Sequence, residues 1–120
     1  MKPTEDAIDQ LTSLKDLDHP DWDSYGGLPV SRAAQEWAQI FVTHVWSVLG
    51  VRIPLDAGPR PDGGVSVLWR GRHNVKIEIC FAPTQPAVPT YIVSEAGELK
   101  YKGIIPDVDA FAREILKPTV

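Results

Sequence analysis

Val75-Lys76-Ile77-Glu78-Ile79-Cys80-Phe81 is the stretch whose reading decides the fold. Val75, Ile77, Ile79 and Phe81 alternate with Lys76 and Glu78, the period of two that puts an apolar row on one face of a strand and charge on the other. A strand with one dry and one wet face belongs in an antiparallel sheet that is covered on one side only. Immediately upstream, Gly71-Arg72-His73-Asn74 turns the chain, and before it Val65, Val67 and Trp69 share one face of Val65-Ser66-Val67-Leu68-Trp69-Arg70. Downstream, residues 82–89 carry three prolines and read as an irregular loop. A third strand is expected over residues 90–95, a turn at Ala96-Gly97-Glu98, and a fourth strand over residues 99–102. Short strands joined by tight turns favour antiparallel pairing.

Helical patterns flank this meander. Ile8, Leu11 and Leu14 recur at helical spacing within residues 5–17, behind Thr4 as N-cap and ahead of the helix-ending His19-Pro20. Ser31 offers an N-cap to a longer helix over residues 32–49, whose apolar residues are Trp37, Ile40, Phe41, Val45, Val48 and Leu49, and Gly50 suits the position after its end. Residues 51–55 read as a short extended piece broken by Pro54. Pro59-Arg60-Pro61-Asp62-Gly63-Gly64 is a turn, because proline presets φ and the glycines permit positive φ. Asp107 starts a final helix with Val108, Phe111, Ala112, Ile115 and Leu116 as its stripe. The expectation is a single α+β domain over residues 1–120: two N-terminal helices, a four-stranded antiparallel meander and a C-terminal helix, with the second helix on the dry face.

The totals agree with that class. The 120 residues are 43% apolar and 23% charged, with a net charge of -4, so a folded chain is expected and a broad phosphate-binding face is not. The single cysteine, Cys80, excludes an internal disulfide and reads as a small buried hydrophobe in a reducing compartment. The acidic opening Met1-Lys2-Pro3-Thr4-Glu5-Asp6 lacks an apolar signal core, and no apolar run reaches the ~20 residues that span a bilayer. A cytoplasmic protein without membrane contact is expected.

Trp22-Asp23-Ser24-Tyr25-Gly26-Gly27 and the run from Pro61-Asp62-Gly63-Gly64-Val65 to Trp69 resemble a group of small uncharacterised bacterial proteins, many of them on mobile elements. That group carries an Asn/Asp-Trp-Asp-x-Tyr-Gly opening, then a helix, then a proline-rich lead into a Pro-Asp-Gly-Gly strand ending in Trp. The likeness covers residues 21–81 and departs at Gly27, where the group usually has alanine. It implies the architecture; no activity is established for the group, so it implies no catalytic residues.

The residues themselves suggest a binding role. Asp21 and Asp23 lack the partner groups that separate carboxylate pKa values for acid–base catalysis, and the oxygen spacing of a calcium loop is missing. The plainer reading has Trp22 and Tyr25 packed on the second helix and Asp23 capping local N–H groups. His19, His44 and His73 are too scattered for a metal set, and His44 reads as a partly buried, hydrogen-bonded core histidine. No cofactor and no metal are expected. Arg60, Arg70, Arg72 and Lys76 form a basic cluster suited to nucleic acid, against which a solvated sheet rim is the plainer reading. Trp37 and Trp46, nine positions apart, cannot share one helix face. Trp46 therefore points toward the first helix, a dimer partner or another protein. The expected function is a non-catalytic protein-binding module of the inhibitor, antitoxin or immunity type. Its partner would be a toxin or defence nuclease, and its contact residues Trp22, Asp23, Tyr25, Trp46, Trp69, Arg70 and Arg72, with self-association as a further use of the same surfaces. The alternatives are a small hydrolase using Asp21, Asp23, Tyr25 and His44, and a weak nucleic-acid binder.

Overall fold

The computed structural model describes residues 7–14, 27–84 and 88–120. At its centre β3 (Val75–Phe81) pairs antiparallel with β2 (Val65–Arg70) on one side and β4 (Thr90–Glu95) on the other. The register aligns Val65 with Phe81, Val67 with Ile79 and Tyr91, and Trp69 with Ile77 and Val93. The alternating apolar residues of three strands therefore fall in transverse rows on one face. The meander continues into β5 (Glu98–Ile104) through the two-residue turn Ala96-Gly97.

The sheet has five strands rather than the expected four. β1 (Asp56–Pro59) pairs antiparallel with β2 at one edge, giving the order β1-β2-β3-β4-β5. The extended piece expected at residues 51–55 lies one segment too early. β1 reads poorly as a strand because Gly58 and Pro59 are weak β-formers, and Pro59 is tolerated at the end of an edge strand. Tertiary contacts make it: Ala57 stands opposite Val67, and the exposed Asp56 carboxylate lies 3.7 Å from Arg70 across the pair. On its outer side the Ala57 N–H donates to Gln10 Oε1 at 2.5 Å. Gln10 belongs to α1 (Ala7–Ser13), so that helix shields the β1 edge. The longer first helix expected over residues 5–17 extends in part beyond the described residues.

The turn between β1 and β2 anchors what precedes α2. Arg60 N–H donates to the Gly64 carbonyl and Gly63 N–H to the Arg60 carbonyl, both at 3.0 Å, with Gly63 at φ +89. A Cβ on Gly64 would collide with the Phe81 carbonyl oxygen. The same turn receives Leu28 N–H on the Pro61 carbonyl and Ser31 N–H on the Gly63 carbonyl, both at 2.8 Å. Ser31 then caps α2 (Arg32–Leu49), its side chain accepting from Ala34 N at 3.2 Å. Gly50 closes the helix at φ +72, with its N–H on the Trp46 carbonyl.

α2 lies on the dry face and buries Ala34, Ala38, Phe41, Val42 and Val45 completely. Its stripe is rotated from the one expected, for Ile40 is 59% exposed. At roughly 100° per residue, the burial of Phe41 and Val42 turns Ile40 to the far side. Trp37 and Trp46 stand on opposite flanks of the buried stripe, as their spacing requires. Asp107 caps α3 (Val108–Phe111), accepting from Asp109 N at 3.0 Å and Ala110 N at 3.4 Å. The chain continues through a π-type stretch, Ala112–Leu116, and a 3₁₀ turn, Lys117–Thr119. Phe111, Ala112 and Leu116 join the core formed by α1, α2 and the sheet. Thr119 Oγ1 accepts from the Trp69 indole N–H at 2.8 Å, which ties the last turn to β2.

Phe81 is fully buried and meets Phe41 edge-on at 5.3 Å and Trp37 at 6.5 Å. Phe81→Ala is expected to lower the unfolding free energy by about 3–5 kcal/mol in denaturant titration, and Ile40→Ala to change it by less than ~0.5 kcal/mol.

Candidate functional site

The residues singled out by the sequence fall into three groups. Asp21, Trp22, Asp23 and Tyr25 lie outside the described residues. Trp46 and Trp69 are core rings, 8% and 6% exposed. The Trp46 indole N–H donates to the Ile53 carbonyl at 3.0 Å, and Arg52 stacks over its ring with the guanidinium carbon 4.4 Å from the centroid. The question left open for Trp46 is thus answered by the segment after α2, which folds back over it. An indole this buried, with its N–H bonded internally, gives a partner little area at Trp46 and Trp69. Arg70 and Arg72 are exposed at the sheet rim.

The basic cluster is partly neutralised. Arg70 faces Asp56 at 3.7 Å and Arg60 Nε faces Asp62 at 3.7 Å. Arg70, Lys76, Asn74 and Ser94 border a shallow concavity of about 470 Å³ beside the Ala96-Gly97 turn. Among the described residues no group of three or more His, Cys, Asp and Glu side chains is placed to hold a metal ion. Among the same residues no helix is long and apolar enough to cross a membrane.

His44 is hydrogen-bonded as expected, but it lies further out than the partly buried core position that the sequence suggests. Its side chain is 49% exposed and its Nε2 bonds to Asp109 Oδ1, which clips α2 to the start of α3. A pair this exposed contributes under about 1 kcal/mol. His44 stands on a ridge between two open concavities. One, of about 940 Å³, is bordered by Ile8, Gln39, Ile40, Thr43 and Ser47. The other, of about 460 Å³, lies against Trp37, Pro106 and Val108.

Cys80 also differs from its reading as a buried hydrophobe. It lies half-buried on the open face of the sheet, aligned with Ser66 and Thr90. Arg60 Nη1 approaches its sulfur at 3.2 Å. Burial pushes the thiol pKa up, the Arg60 charge opposes that shift, and Glu78 adds to it.

The remaining surface feature was not singled out from the sequence. The outer end of the sheet carries a group of exposed large apolar side chains: Leu99 at 61%, Ile104 at 62%, and beside them Tyr101, Ile92 and Val88. Pairing puts Ile92 opposite Lys102 and Ser94 opposite Leu99 on the open face, while Tyr101 opposes the buried Val93 on the helix side. The signal was in the sequence. Leu99-Lys100-Tyr101-Lys102-Gly103-Ile104 is a strand whose apolar residues occupy both parities, and only one parity is covered by helices. Against protein-family models, curated proteins and solved structures alike, the chain finds no match.

The Cys80 thiolate absorbance is expected to rise at a higher pH than that of an unstructured cysteine, because burial disfavours the charged form. Arg60→Ala moves the rise further upward, since the guanidinium that favours the thiolate is gone. A downward move would contradict the assignment of Arg60 as the opposing charge.

Proposed function

We propose that this chain is a non-catalytic protein-binding module, of the kind that inhibits or neutralises a partner by covering its surface, as antitoxins, immunity proteins and anti-defence inhibitors do. The observation that supports the reading is the exposure of Leu99, Ile104 and Ile92 on the open face of the outer two strands, with Tyr101 exposed on the other face of β5. Singly exposed apolar residues are ordinary on a protein surface, but several on an edge strand and its neighbour give a partner apolar contacts to cover. Lys102 lies between Leu99 and Ile104 on the same face, and Lys100, Glu98 and Glu95 are exposed nearby on the same two strands. A core of apolar contacts with a polar rim is also the general anatomy of an interface. On this reading the bacterial or mobile-element setting implied by the sequence resemblance supplies the partner, a toxin or a defence enzyme, and the site of action is the cytoplasm. The contact surface moves from the indoles of Trp46 and Trp69 to the β4–β5 end of the sheet, with Arg70 and Arg72 at the neighbouring rim.

The test is co-purification from the native host at physiological salt. A stoichiometric partner is expected with the wild type and with Ile40→Asp, and it is expected to be lost with the double variant Leu99→Asp, Ile104→Asp. Adding the purified chain back should abolish the partner's own activity. Identical sets of co-purifying proteins for all three forms would overturn the reading.

A further inference from the structure

The two edges of the sheet are treated differently. At β1 the outward N–H of Ala57 is taken by Gln10 of α1. At the other end β5 is the last strand, and among the described residues nothing pairs with its outer side.

The register shows which backbone groups face outward. Ile105 N–H donates to the Pro89 carbonyl at 2.8 Å, which makes those two residues a hydrogen-bonded pair. In an antiparallel ladder such pairs alternate with non-bonded ones. Gly103 opposite Tyr91 and Tyr101 opposite Val93 are then bonded inward, and Lys102 and Ile104 turn their N–H and C=O groups outward. Gly103 is closed by its neighbour: a Cβ there would stand 3.1 Å from the Tyr91 ring, so the ring fills the space a side chain would take. Among the described residues, the edge therefore presents unpaired donors and acceptors in strand geometry.

Charge selects what can pair there. Lys100 and Lys102 lie on this edge; Lys100 has Glu98 at 3.7 Å, and among the described residues Lys102 is in no ion pair. Lysines on an edge, together with the register shift between Val93 and Ser94, are devices that discourage indiscriminate strand pairing. A second β5 would bring both lysines of each chain onto one short seam, where like charges repel. The same lysines favour a strand that carries carboxylates, so repulsion of wrong partners and attraction of the right one come from the same residues.

We infer that β5 is an acceptor edge for strand addition, and that its occupant is an extended segment of the partner protein in which apolar residues alternate with Asp or Glu. This inference rests on the protein-binding reading and supplies its mode of contact. Backbone bonds to Lys102 and Ile104 give the affinity common to strand addition, and side chains give the choice of sequence. On the open face the added carboxylates lie beside Lys102, and the apolar side chains, which alternate with them, fall on the other face beside the Tyr101 ring.

The full chain is titrated, by fluorescence anisotropy, into labelled capped peptides about as long as β5. One alternates valine with glutamate, a second alternates valine with lysine, and two further versions of the first carry N-methyl groups on one or the other set of alternate amides. The glutamate peptide is expected to bind at least about tenfold more tightly than the lysine peptide, and Lys102→Glu to reverse that order. Of the two methylated peptides only one is expected to lose binding, because a strand presents every second N–H to its neighbour. Equal binding of both methylated forms to that of the parent, or an unchanged preference in Lys102→Glu, would overturn strand addition. So would absence of glutamate-peptide binding. If the native partner is still lost on Leu99→Asp, Ile104→Asp while these peptide results are negative, the protein-binding reading stands and the strand mode falls; if both experiments are negative, both fall.

Discussion

The contact between Phe81 and α2 is the constraint on which the rest of the structure depends. Phe81 ends the central strand, is fully buried, and meets Phe41 edge-to-face with Trp37 beside it. Phe41 in turn touches Phe111 of α3, whose ring lies 5.0 Å from Tyr91 of β4. One aromatic chain thus joins the central strand, the long helix, the last helix and the fourth strand. Each pair is worth about 0.5–1.5 kcal/mol beyond the area it buries. The larger effect is geometric: α2 can seat on the sheet only where the β3 register brings Phe81 beneath Phe41. The Phe81 carbonyl also explains why position 64 is glycine, so the β1–β2 turn that holds the start of α2 is fixed by the same residue.

Among the described residues, one face and one edge of the sheet are sealed, and the other face and the other edge are left uncovered. α2 and α3 cover the dry face, and α1 covers the β1 edge through Gln10. The open face mixes Glu78, Lys76, Cys80 and Ser66 with Leu68 and Ile92, and ends in β5, where Leu99 and Ile104 are more than half exposed. A strand with apolar residues of both parities is stable at an edge only if something tolerates the uncovered parity. Lys100 and Lys102 keep that edge soluble. Function, on the reading proposed, follows from an edge left unfinished by the fold.

Much of the architecture was legible because it rests on local rules. The alternation in Val75–Phe81, the Ser31 and Asp107 caps, Gly50 in the left-handed region, and the Gly63-Gly64 turn are each set by residues close in sequence. What was not legible depends on distant partners. β1 is a strand because β2 and Gln10 accept its backbone, and nothing in Asp56-Ala57-Gly58-Pro59 announces that. Ile40 joins the apolar stripe by spacing alone, yet the sheet meets α2 one residue further round. Trp46 is covered by Arg52 and Ile53, a return of the chain that helical periodicity does not encode. His44 and Cys80 look internal by their apolar neighbours in sequence, but one lies on an outer ridge of α2 and the other on the open face. The Asp21–Gly26 residues, so dense in chemistry, lie outside the described part of the chain. The exposed residues on β5 were readable in principle, since its apolar residues fall on both parities and helices cover only one of them.

Amide hydrogen exchange on the free protein, read residue by residue, tests the central claim most directly. The N–H groups of Val42, Val67, Ile77 and Ile79 should be the slowest and exchange only through global unfolding, while those of Lys102 and Ile104 should exchange quickly beside a protected Gly103. Slow exchange at Lys102 and Ile104 in the isolated chain would mean that the β5 edge is already paired, and would contradict a sheet that keeps this edge for a partner.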